Sequence, residues 1–254
     1  MSQTNPFLSP GSNQPSDAHS MEGGRAVAAG QGWAWVTGAF DLFKKQPGIW
    51  IAIVVVLFVI LLVLAFIPLL GTVATCLLLP VFTGGLMLGC QSVERNGSLE
   101  IGHLFAGFKE HTGNLIVLGA LTILALIVVM IPVVLIVGVG AFFGVLRGDV
   151  VGAVAMGGSF MIAWLVAMAL SVPVYMALWF APALVVLRGV APVAAIKQSF
   201  SGCLKNIIPF LIYGIVMLVL SVAATVPFLL GWLVLGPVLV ASVYVAYRDL
   251  YGDS

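Results

Sequence analysis

From Gly48 onward the chain keeps returning to apolar runs of about twenty residues, and that length restricts its fold more than any other feature. A helix rises about 1.5 Å per residue, so such a run matches the roughly 30 Å hydrocarbon core of a bilayer. Runs of this kind are read at 48–66, 71–93, 114–131 and beyond, 160–187, 207–226 and 231–249. None carries an ionisable residue in its central part, where one would cost on the order of 3 kcal/mol or more. In lipid each backbone group must be paired within its own segment or a closed barrel, and uninterrupted apolar runs without alternation select helices. The hydrophobic fraction of 62%, the charged fraction of 7% and the mean hydropathy of +1.21 agree. The expected fold is an all-α polytopic membrane protein with six transmembrane helices.

An amphipathic stretch precedes each odd-numbered run. Trp33, Val36, Phe40, Phe43 and Lys44 stand before the first; Ile101, Leu104, Phe105, Phe108 and Lys109 before the third; Val193, Ile196, Phe200 and Lys205 before the fifth. Apolar residues at helical spacing, closed by lysine and too short to span, read as helices lying in the interface. Trp33, Phe40, Phe43, Lys44, Phe105, Phe108, Lys109, Phe200 and Lys205 are accordingly the expected membrane-interface anchors. Aromatic rings favour the headgroup level, and lysines gain from anionic lipid there.

Prolines give these units a common frame. Pro68, Pro132 and Pro227 fall 28, 27 and 27 positions after Phe40, Phe105 and Phe200. Pro80, Pro173 and Pro237 mark each following run, every one of them followed by valine. The expected unit is an interfacial helix plus a two-span hairpin, repeated in parallel at about 33–95, 98–188 and 190–250. Copy two puts 41 residues between its prolines where the others put 12 and 10, so it carries an insert at 133–172. Helix from Asn114 to Leu146 would run about 50 Å, beyond the core. An extended hairpin is expected, kinked near Pro132, with its tip at Arg147–Asp149. Gly138, Gly140 and Gly144 would meet Gly152, Gly157 and Gly158 across it.

Residues 1–31, rich in Ser, Gln, Asn, Gly and Pro, read as a disordered cytoplasmic tail ahead of a membrane domain at 32–250, with no cleavable signal peptide. Nine of the ten basic residues fall on the side of the two termini, and Arg147 falls opposite. The positive-inside rule makes that richer face cytoplasmic, with both termini inside.

Several segments carry a resemblance: Phe40–Pro47, Ile67–Gly71, Leu104–Phe108, Trp179–Val185 and Ala241–Asp249. They resemble a family of uncharacterised six-span inner-membrane proteins of proteobacteria, and more distantly the membrane domain of some glycerophosphodiester phosphodiesterases. The resemblance implies a bacterial inner-membrane location and a scaffold near lipid metabolism. It supplies no catalytic residue, and the soluble phosphodiesterase barrel is missing from this sequence.

Little else points to chemistry. Cys76, Cys90 and Cys203 lack zinc or redox spacing, and read as small apolar fillers. His103 and His111 are eight apart, not at the i, i+3 or i+4 spacing of helical metal ligands. Gly138–Gly144 has its third glycine one place late for a dinucleotide loop. No catalytic, cofactor or metal site is expected, and no nucleic acid. The expected function is a non-enzymatic inner-membrane component that organises lipid or partner proteins, itself included as a homo-oligomer. The alternative is a channel or facilitator for a small or amphiphilic solute.

Overall fold

In a computed structural model the chain is helical, and residues 23–95, 97–148 and 150–252 are described. No strand occurs among them, and six helices are long and apolar enough to cross a membrane. The expectation of disorder for residues 1–22 lies outside the described residues, as does Asp149 of the hairpin tip.

The first helix, α1, spans Gln31–Lys45, and its last turn places Lys44 and Lys45 against the carbonyl end of the helix dipole. Pro47 then opens α2 (Pro47–Ala65), where a missing backbone donor costs nothing. A turn through Ile67-Pro68-Leu69 leads to α3 (Leu70–Glu94), and the 3-10 helix Ile101–Phe108 follows. The long hairpin is α4 (Thr112–Arg147) and α5 (Val150–Leu178), followed by the short α6 (Ala181–Arg188). The chain closes with α7 (Pro192–Lys205), α8 (Ile207–Thr225) and α9 (Trp232–Tyr251). Pro80, Pro132, Pro173 and Pro237 all lie inside helices, each removing one backbone donor without ending the helix.

Two spans form the spine. Val81, Leu86, Met87 and Cys90 of α3, with Val238, Ala241 and Val245 of α9, are buried, whereas α2, α4, α5 and α8 expose most of their surface. Around one end of this spine, α1, the 3-10 helix, α6 and α7 form a packed layer, and six successive residues of α6, Ala181–Val186, are buried in it.

Four expectations need correction. The second amphipathic stretch is a 3-10 helix, not an α-helix. Its three-residue period lines up Leu104 and Gly107, and Gly107 lies so close to α3 that a Cβ there would be 2.1 Å from the Val81 oxygen. Gly85 faces it from α3, so the GxxxG pair Gly85 and Gly89 seats the 3-10 helix within the chain.

On α1 the packed face is Gly32, Trp35, Val36, Ala39, Leu42 and Phe43, while Trp33, Phe40 and Lys44 point outward. The small residues beside Trp35 admit neighbouring backbone, which the face carrying Trp33 cannot do.

Across the long hairpin, Gly144 opposes Gly152 and Gly140 opposes Ser159, whereas Gly138, Gly157 and Gly158 have open space where a Cβ would stand. Helix α4 runs unbroken through Pro132 for 36 residues, about 54 Å. Finally, the tail has defined contacts from Gly23 onward, described below.

Candidate functional site

The packed end of the bundle gathers most of the polar and aromatic side chains. Trp35 on α1 lies 5.1 Å from the Phe210 ring and 6.2 Å from Tyr213, both on α8. Trp179 reaches the same pair at 6.1 and 6.0 Å, and Phe180 joins Phe210 to Tyr251 at 5.8 and 5.5 Å. These tilted and edge-on contacts suit ring quadrupoles, and each adds about 0.5–1.5 kcal/mol beyond burial.

Hydrogen bonds lock the same cluster. The Trp35 indole N–H donates to Asp249 at 2.9 Å, and Arg25 donates to the other Asp249 carboxylate oxygen at 3.3 Å. Asn206 is buried between α7 and α8. Its oxygen accepts from the Val27 N–H at 2.8 Å, and its amide donates to the Arg25 and Gly202 carbonyls. Lys205 donates to the Gly24 carbonyl at 3.1 Å. Residues 23–28 thus form a strap that ties the start of the chain to α7 and α9. On the neighbouring face Glu94 accepts from Tyr244 at 2.5 Å and from Arg248.

The break between α5 and α6 has a specific cause. In an unbroken helix the Phe180 N–H would donate to the Met176 carbonyl. Instead the buried Ser199 hydroxyl stands between them, accepting from Phe180 at 3.0 Å and donating to Met176 at 2.7 Å. Pro182 removes the donor that the Leu178 carbonyl would have used. The expected fourth span at 160–187 therefore begins earlier and bends at Trp179-Phe180. Cys203 points at the same Met176 carbonyl, 3.5 Å away, and burial pushes its thiol up from 9.0 to about 12, against a smaller opposing effect of Ser199.

Several hydroxyls inside the spans are bonded within the chain, whereas the buried Trp50 indole N–H has no partner among the described residues. Thr83, Thr122, Ser171 and Thr225 each donate to the carbonyl four residues back. Ser242 donates to the Leu239 carbonyl, so Tyr213 is the donor in their 2.8 Å contact. Among the described residues no group of three His, Cys, Asp or Glu side chains could hold a metal ion. His103 accepts from the Glu100 N–H at 3.0 Å and caps the 3-10 helix.

Two grooves mark the outer surface. One, of about 520 Å³, lies between α4 and α5 and is lined by Leu135, Val139, Gly140, Ala155 and Ile162 among others. The other, of about 540 Å³, runs between α1, α8 and α9. Trp33, Thr37, Phe40, Asp41 and Lys44 border it on α1, and Leu220, Ala223, Val234 and Val238 form its apolar walls. Lys44 pairs with Asp41 at 2.8 Å and sits 5.2 Å from the Phe40 ring centre.

The expected interface residues therefore divide. Trp33, Phe40 and Lys44 share the second groove. Phe105 and Phe108 pack edge-on to Phe82 while remaining partly exposed, and Phe43 is buried. Phe200 is partly exposed, Lys109 is exposed, and Lys205 is drawn into the strap. Trp35, Ser199, Asn206, Glu94 and Asp249 were not singled out in the sequence. For Asn206 and Asp249 the available signal was a polar residue at the mouth of an apolar run.

A curated protein of Burkholderia thailandensis, named as a probable inner membrane protein, is 28% identical over 209 residues, covering 78% of this chain and 76% of that one. The chain matches no family model. No solved structure matches it either.

Proposed function

We propose that this chain is a non-enzymatic component of the bacterial inner membrane that organises the lipid around it, with both termini cytoplasmic. Six apolar helices and the likeness to an inner-membrane protein support the location. The carrying observation is the division between a filled interior and lipid-accessible grooves. Trp50, Ile53, Val81, Phe82, Met87 and Val238 are buried, while the α1–α8–α9 groove runs between α1 and two spanning helices. A solute pathway needs polar groups along its wall, and the intramembrane hydroxyls described above are already bonded to backbone or to each other. The resemblance to the phosphodiesterase membrane domain fits a scaffold beside lipid and lends no hydrolase residue.

The three-repeat reading belongs to the same proposal. Residues preceding the aligned phenylalanines, Ala39, Leu104 and Ser199, are all fully buried, and Phe40, Phe105 and Phe200 are 43, 39 and 37% exposed. Leu69 and Phe228, each following its turn proline, both adopt positive φ, 60° and 51°. A protein partner is favoured at one place only. Even tilted by about 40°, α4 would cover about 41 Å, so its apolar far end extends past the core and needs cover.

Proteoliposomes test the reading. Exchange of pyrene-labelled phospholipid should slow in proportion to protein, with no release of trapped small solutes above protein-free vesicles. Rapid solute release with unchanged lipid exchange would favour a channel and overturn it.

A further inference from the structure

The α1–α8–α9 groove joins two features that a phospholipid also joins. Its walls are hydrocarbon, from Leu220, Ala223, Val234 and Val238, and its border carries one carboxylate and one ammonium 2.8 Å apart, Asp41 and Lys44. Both side chains are more than half exposed, so each has free valence toward an incoming group. Beside them stand the exposed Trp33 indole and the Phe40 ring, which holds Lys44 by its face.

Resting on the lipid-organising reading, we infer that this groove binds a zwitterionic phospholipid with a primary-ammonium headgroup. One acyl chain lies along α8, the phosphate meets Lys44, and the headgroup ammonium meets Asp41. Charge complementarity selects this occupant. An anionic headgroup would gain Lys44 but press its charge on Asp41. A trimethylammonium headgroup has no N–H to give the carboxylate. A primary ammonium and a phosphate satisfy both partners and replace an exposed i, i+3 pair that is itself worth little.

Native mass spectrometry of the full chain, titrated with phosphatidylethanolamine, phosphatidylglycerol and phosphatidylcholine of matched chains, tests this. Phosphatidylethanolamine should bind about threefold to fivefold more tightly than the other two, the size of one exposed ion pair. Asp41→Asn should abolish that preference by lowering phosphatidylethanolamine affinity about threefold to fivefold, with phosphatidylcholine binding little changed. Ala223→Trp, which fills the wall, should lower binding of all three, with unchanged melting as proof of folding. Equal binding of the three lipids, or a preference that Asp41→Asn leaves intact, overturns this inference while the lipid-organising reading stands. No retained lipid of any class overturns both. A folded Ala223→Trp protein with undiminished binding places the lipid elsewhere and overturns the groove assignment.

Discussion

Replacing Ser199 by alanine should destabilise the protein far more than the loss of one small hydroxyl suggests. That hydroxyl occupies the helical hydrogen bond between Met176 and Phe180 and satisfies both groups, in a fully buried position. Without it the buried Phe180 N–H loses its partner, at about 1–3 kcal/mol, while the part-buried Met176 carbonyl keeps only the weak Cys203 thiol contact at 3.5 Å and adds a smaller loss. They could recover by closing into a regular turn. Phe180, however, is held between Phe210 and Tyr251 at 5.8 and 5.5 Å, and Pro182 still denies Leu178 a donor. Closure would therefore displace the aromatic cluster, and the net cost should be about 2–4 kcal/mol. For a chain of this size that lowers Tm by about 5–12 °C. Ser171→Ala is the matched control, because the Ser171 hydroxyl only adds a bond to the Ala167 carbonyl of its own helix. Thermal unfolding of both variants in one detergent decides the matter. A Ser199→Ala shift no larger than that of Ser171→Ala would refute the inserted-hydroxyl account.

Other substitutions test other contacts. Gly107→Val must push against the Val81 carbonyl and should cost about 1–3 kcal/mol or more, read as a lower Tm and faster proteolysis between Gly97 and Lys109. In the long hairpin, cysteines at Gly144 and Met156 should form a disulfide, since their Cβ atoms would lie 3.3 Å apart, whereas cysteines at Gly140 and Gly152 should not. With Cys76 and Cys90 changed to serine, Cys203 should resist maleimide in the folded protein at pH 8–9 and react on unfolding. Its folded pKa lies above the ordinary 9.0, so the stability gained from burying the neutral thiol is complete below about pH 9. That contribution fades as pH rises toward about 12.

Span number and order were legible because a bilayer imposes one length and one backbone solution, and α2 and α8 begin and end within a few residues of the expected runs. The 3-10 helix was not legible. Ile101, Leu104, Phe105 and Phe108 fit a 3.6-residue period, and only the approach of Gly107 to Val81, a contact between distant segments, selects the tighter one. The inner face of α1 was hidden for a related reason. Trp33 and Trp35 head two apolar stripes, and which one packs depends on what Gly32 must pass, the Pro209 carbonyl. In the hairpin, glycine spacing showed that small residues line both arms but not the phase that sets Gly144 against Gly152 and Ser159 against Gly140. Asp249 and Asn206 looked like ordinary end-of-span polarity, because the strap that uses them comes from Arg25 and Val27, far away in sequence.

Extraction of the protein from its own membrane into polymer-bounded discs, followed by lipid analysis of the particles, tests the central claim most directly. The account predicts a lipid composition that departs from the surrounding membrane, enriched in ethanolamine phospholipid that stays bound through purification. A composition identical to the bulk membrane and to discs around an unrelated six-span protein would contradict it.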